Sequence, residues 1–152
     1  MDKDLKLLSG RVLKRETKEF LIEIEGLVIG KGIGNIVVND DKKQGNSKKL
    51  GRSQFKMLLD SVSKASCIEE LLLFISYQKA RGHGWESKCN DGESIADNLV
   101  KSFMRIQDKI YPRILNEPDI GEVSNDDERL LRLDIAEKYM GYLFWKVYVA
   151  SK

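Results

Sequence analysis

The sequence predicts a mainly α-helical protein: a small bundle of about four helices over residues 51–152, preceded by a short antiparallel β hairpin or meander within residues 1–50. Three observations predict it. From Phe55 to Val147 apolar residues recur every three or four positions, the period of an amphipathic helix. Between Arg11 and Asn39 the chain is rich in Val, Ile and Phe, and Phe20, Ile22 and Ile24 alternate with Leu21, Glu23 and Glu25, a period of two. Residues 39–51, NDDKKQGNSKKLG, are polar with no apolar period, so they read as a basic surface linker closing a β-rich extension over residues 1–50.

In the extension, Gly26, Gly30, Gly32 and Gly34 suit turns or bulges between two or three short strands. After Gly51 the first helix is expected from Ser53 to Ser63, with Phe55, Leu58, Leu59 and Val62 on one face. The second starts near Ser66, which forms a capping box with Glu69. It continues through Ile68, Leu71, Leu72 and Ile75 to the stop signal Gly82-His83-Gly84. The third spans about Glu93 to Leu115 on Ile95, Leu99, Phe103, Ile106, Ile110 and Ile114, with Pro112 kinking it or ending it early. The fourth begins near Asn125, capped with Glu128, and carries the seam Leu133, Ala136, Met140, Leu143 and Val147.

At 152 residues, 41% hydrophobic and 33% charged, the chain can bury a core without disulfide or metal staples. Two cysteines, Cys67 and Cys89, form no disulfide framework, so a reducing cytoplasm is the expected compartment. No apolar run reaches a membrane-spanning length and MDKDLK does not open a signal peptide, so no membrane partner is expected. The net charge of +2 hides an asymmetry: residues 1–56 carry 13 basic and 8 acidic side chains, net +5, and residues 57–152 carry 13 and 16, net −3.

Enzyme chemistry finds little footing. Gly30-Lys31-Gly32-Ile33-Gly34 lacks both the dinucleotide spacing and the Gly-Lys-Ser/Thr of a phosphate loop, and a hairpin turn is the better reading. His83 is the only histidine, too little for a metal site or a nucleophile-histidine pair. Glu69 with Glu70, and Asp126 with Asp127, sit at helix starts, where they favour the helix dipole. No catalytic residue, metal or cofactor is therefore expected.

Charge and aromatic patterns say more. Lys101, Arg105 and Lys109 follow one another at i, i+4 on the third helix, opposite its apolar face. Their repulsion is relieved if an anion lies across them, and steps of about 6 Å resemble the phosphate repeat of a nucleic acid strand. The alternative is a solvated helix face. Lys42, Lys43, Lys48, Lys49, Arg52 and Lys56, and Lys79 and Arg81 beside Tyr77, could extend such a surface, since cations with interleaved rings suit single-stranded nucleic acid. The last helix adds Tyr139, Tyr142, Phe144, Trp145 and Tyr148, more aromatics than one face can hold. This argues either for a central position in the bundle or for a partner-binding face of Tyr139, Tyr142, Trp145 and Tyr148.

Three stretches carry a resemblance: Arg52-Ser53-Gln54-Phe55-Lys56, then residues 72–82 (LLFISYQKARG), then residues 134–143 (DIAEKYMGYL). Over residues 51–152 the chain resembles the small subunit of type III CRISPR effector complexes, the Csm/Cmr small-subunit group. The resemblance implies a small, non-catalytic helical protein that stacks in several copies along the guide and target RNA duplex. It implies contacts with the complex's backbone and large subunits and basic residues turned to RNA. Arg52 matches the basic residue opening the first helix, and Arg81 the one ending the second. The β-rich N-terminus departs from that all-helical pattern. The RNA-contact set expected is Lys48, Lys49, Arg52, Lys56, Arg81, Lys101, Arg105 and Lys109. A second reading, of a different class, is a helical protein adaptor without nucleic-acid contact.

Overall fold

A computed structural model describes residues 1–40 and 49–151. Among them seven α-helices form: α1 Lys3–Arg15, α2 Thr17–Glu25, the single turn α3 Ile33–Ile36, α4 Arg52–Val62, α5 Ile68–Arg81, α6 Ile95–Leu115 and α7 Asn125–Ala150, with a π-helical turn, Gly26–Gly30, continuing α2. No strand occurs among the described residues, only two isolated bridges, Val38 with Gly51 and Lys88 with Ser94.

The expected β hairpin or meander is therefore absent, and the physical reason is visible in the same residues. Val12, Phe20, Ile24, Leu27 and Val28 are buried, at the three-and-four spacing of a helix, whereas Ile22, the middle residue of the apparent alternation, is 57% exposed. Gly26 keeps right-handed helical angles, φ −60° and ψ −37°. The turn comes later, at Gly32, whose φ of 85° most side chains avoid. At Gly34 a Cβ would stand 2.8 Å from that of Ala150, so a glycine lets α3 approach the end of α7 closely.

The four helices expected after Gly51 are α4 to α7. Their starts differ in detail. Asp40 accepts from the Ser53 N–H and hydroxyl at 2.9 and 2.8 Å, so a carboxylate thirteen residues upstream caps α4. Glu70, not Glu69, accepts the Ser66 N–H, and Ser124 rather than Asn125 caps α7, through the Asp127 N–H. Gly82, φ 74°, ends α5. Pro112 does not end α6: the turn beyond it is held by buried Ile114 and by Arg113, which donates to Glu16 at 2.5 Å.

α7 lies at the centre, packed against α1, α2, α4, α5 and α6. The α1–α2 segment runs parallel to α7, with Phe20 edge-on to Tyr142 and Glu25 paired with Lys146. It runs antiparallel to α6, as the pairs Glu16–Arg113 and Glu23–Arg105 show. One buried cluster joins residues of the first forty, such as Phe20 and Ile24, to those of α4 through α7. The seam of α7 is Leu131, Ile135, Ala136, Tyr139, Met140, Leu143 and Val147; Leu133 stands half-buried beside it. No helix among the described residues is long and apolar enough to cross a membrane.

Candidate nucleic-acid and partner surfaces

The i, i+4 ridge of α6 is fully engaged with carboxylates. Lys101 donates to both oxygens of Glu93 at 2.7 and 2.6 Å, Arg105 to both oxygens of Glu23 at 3.0 and 3.2 Å, and Lys109 to Glu19 at 3.3 Å. Arg113 extends the series with Glu16. Glu16, Glu19 and Glu23 are spaced by three and four on the facing side of α1–α2, so the anion that the repulsion of the ridge calls for is supplied by the protein itself. Hydrogen bonding to the carboxylates holds Lys101 and Arg105 above their ordinary values. Nothing in the spacing along α6 reveals this; the complementary Glu16-Glu19-Glu23 spacing does, once the N-terminal segment is read as a helix.

A different set of cations gathers at one end of the bundle. Gly84 approaches the Leu50 backbone so closely that a Cβ there would stand 2.5 Å from its nitrogen, and the Asn90 amide donates to Gly30 at 3.3 Å. This brings Lys49, Arg52, Arg81 and Lys88 to the same end. Lys49, Arg81 and Lys88 are exposed, and among the described residues none of the four is ion-paired with a carboxylate. Arg52 has a structural duty: Nε donates to the Ser151 hydroxyl at 2.6 Å, Nη2 donates to the Ser151 carbonyl at 3.0 Å, and the guanidinium lies 4.2 Å from the Tyr148 ring centre. It thereby caps the negative end of the α7 dipole. The Arg81 guanidinium lies 5.5 Å from the ring of exposed Tyr77. Of the other expected cations, Lys56 pairs with Asp60 at 3.0 Å. Lys42, Lys43 and Lys48 lie outside the described residues. Lys88 escaped the sequence reading because it sits alone between helices and joins the group only through the Gly84–Leu50 contact.

The far end of the bundle is acidic. Asp2, Asp4, Asp119, Glu122 and Asp127 line a groove of about 700 Å³ in which Arg11 is the only cation.

The expected aromatic face divides. Tyr139 lies wholly inside the bundle, because α7 is covered on that side by α6. Its hydroxyl donates to Ser102 at 2.7 Å, its ring meets Phe103 edge-on, and burial pushes its phenol up, so it cannot belong to an exposed face. Trp145 and Tyr148 are exposed and Tyr142 is half-buried. His83 is half-buried in the loop after α5, and among the described residues no group of three or more His, Cys, Asp or Glu side chains could hold a metal.

Comparison with known protein families, with curated proteins and with solved structures gives no match. None of these comparisons links the chain to type III CRISPR small subunits.

Proposed function

We propose that the protein is a non-catalytic structural subunit of a ribonucleoprotein, laid in several copies along an RNA strand, and, on the motifs of α4, α5 and α7, the small subunit of a type III CRISPR effector complex. Guide and target RNA backbone, further copies of the chain and the complex's backbone and large subunits are its partners, the cytoplasm is its compartment, and it needs no cofactor. The observation that supports this reading is the charge polarity of the bundle. Among the described residues Lys49, Arg52, Arg81 and Lys88, which have no carboxylate partner, stand at one end beside Asp40 and Glu86, and an acidic groove with Arg11 as its one cation stands at the other. A phosphate chain is attracted to the first end and repelled by the second, which orients each copy on the strand. Tyr77 and Arg81 give the cationic end a ring and a planar cation on which a base can stack. The ridge of Lys101, Arg105 and Lys109 is assigned to the fold.

Fluorescence anisotropy with a single-stranded RNA tests this. Wild-type binding is expected to fall steeply with salt and to ignore sequence. Arg81→Glu with Lys88→Glu should weaken binding at least tenfold and flatten the salt slope by about two phosphates. Equal binding by that variant would refute the assignment of the cationic end. It would favour the adaptor reading, for which exposed Trp145 and Tyr148 are the observation.

A further inference from the structure

A second surface runs along the side of the bundle, away from both charged ends. Between α1 and α7 lies a groove of about 520 Å³. Gly10 of α1 and Gly141 of α7 form its floor, and a Cβ built on either would meet no atom within 4 Å. Neither glycine is required by a turn or by close packing within the chain, although glycine inside a helix weakens it. Their shared effect is to leave a trough. Trp145 lines the same groove: its ring meets Tyr142 edge-on at 5.7 Å and still stands 64% exposed. Hole and knob are thus on the same face, as an interface between identical surfaces requires.

The charges of the face have the same self-complementary form. Lys6 lies on the α1 wall and attracts Asp134 on the α7 wall across the groove, with Glu137 beside it, and among the described residues no hydrogen bond or close ion pair to another side chain holds any of the three. Lys138, also in the groove, is held over the rings of Phe20 and Tyr142 at 5.9 and 5.4 Å. Because α1 and α7 run parallel, a two-fold axis along the groove lays α1 of each copy over α7 of the other. Lys6 then faces the partner's Asp134.

We propose that this groove is the seat of a second copy of the chain, which pairs through it as a two-fold dimer with Trp145 of each copy packed over the glycine floor of the other. The parallel arrangement keeps both cationic ends on one side, so a pair of copies, rather than a single one, is the unit that meets a strand. The self-contact does not depend on RNA, and its assay contains none.

Sedimentation velocity on the full chain, from low to high micromolar concentration, tests it. The wild type is expected to shift from 17.4 kDa to twice that mass. Trp145→Ala, at an exposed position, should weaken self-association about tenfold or more. Gly141→Leu, whose Cβ meets no atom within 4 Å and whose longer side chain occupies the trough, should leave a monomer. Lys6→Glu should weaken the pair, and Lys6→Glu with Asp134→Lys should restore it. Circular dichroism of each variant shows that the helices are intact. A wild type that stays monomeric throughout overturns the proposal, whatever other protein the groove then receives. A dimer that tolerates both Trp145→Ala and Gly141→Leu overturns it equally.

Discussion

Reversing the charge of Arg105 separates a structural ladder from a free phosphate ridge. Arg105 donates twice to Glu23, which also accepts from Ser102 at 3.0 Å, and Ser102 in turn receives the hydroxyl of buried Tyr139. The Arg105 side chain is 53% exposed but that of Glu23 only 15%. Exposed ion pairs contribute about 0.2–1 kcal/mol, and breaking a buried pair costs about 3–5 kcal/mol. Arg105→Ala belongs between these, at about 1.5 kcal/mol, because it strands a mostly buried carboxylate. Arg105→Glu adds like-charge repulsion of the order of 1–2 kcal/mol at this separation, for a total near 3 kcal/mol. At this chain length each kcal/mol moves Tm by about 2–4 °C, so Arg105→Glu should melt about 6–12 °C below wild type in scanning calorimetry. Lys101→Glu is the control. Lys101 and Glu93 are both about half exposed, and their loss should cost under about 1 kcal/mol. If Arg105→Glu melts within about 2 °C of wild type, the ladder does not hold α2 to α6 and the ridge is open to another anion.

Other outcomes follow from the same contacts. Gly10→Ala and Gly141→Ala should each stabilise the isolated monomer by about 0.5–1 kcal/mol in urea denaturation below the pairing concentration, since each gains helix propensity without a clash. Phe103→Ala should cost about 3–5 kcal/mol, because the ring is fully buried edge-on to Tyr139. Burial raises the Asp134 carboxyl above its ordinary value, so the folded state keeps that proton longer than the unfolded state. Its contribution to stability therefore falls as pH rises through and above the usual carboxylate range. Asp134→Asn should match wild type at acid pH and melt higher than it at pH 7, and equal melting at both would contradict the assignment.

How much of this was legible in the sequence varies by element. α6 was, because Ile95, Leu99, Phe103, Ile106, Ile110 and Ile114 form one unbroken stripe, and all six are buried. α4, α5 and α7 were placed to within two residues on similar grounds, although capping choices among adjacent Ser, Asn, Asp and Glu were not resolved. α1 and α2 were misread because a helix with buried Phe20 and Ile24 also places an exposed Ile22 between them. Four glycines in nine residues strengthened the impression of turns. The signal that decides between the readings is non-local: glutamates at 16, 19 and 23 match basic residues at 105, 109 and 113 on a helix ninety residues away. Tyr139 reads like the other aromatics because α7 carries apolar side chains around most of its circumference, so no polar stripe marks which of its faces turns outward. Only the packing of α6 over α7 separates it from Trp145. The cationic end was half visible, in Lys49, Arg52 and Arg81, and Lys88 joined it through a loop contact that no periodicity encodes.

The most direct test of an RNA-laid structural subunit is recovery of the tagged protein from its native host with and without ribonuclease, followed by mass spectrometry and sequencing of bound RNA. Repeat-derived guide RNA together with large CRISPR subunits is the expected result, with binding lost in the Arg81→Glu, Lys88→Glu variant. A stable set of protein partners that carries no RNA and is unchanged by ribonuclease would contradict it.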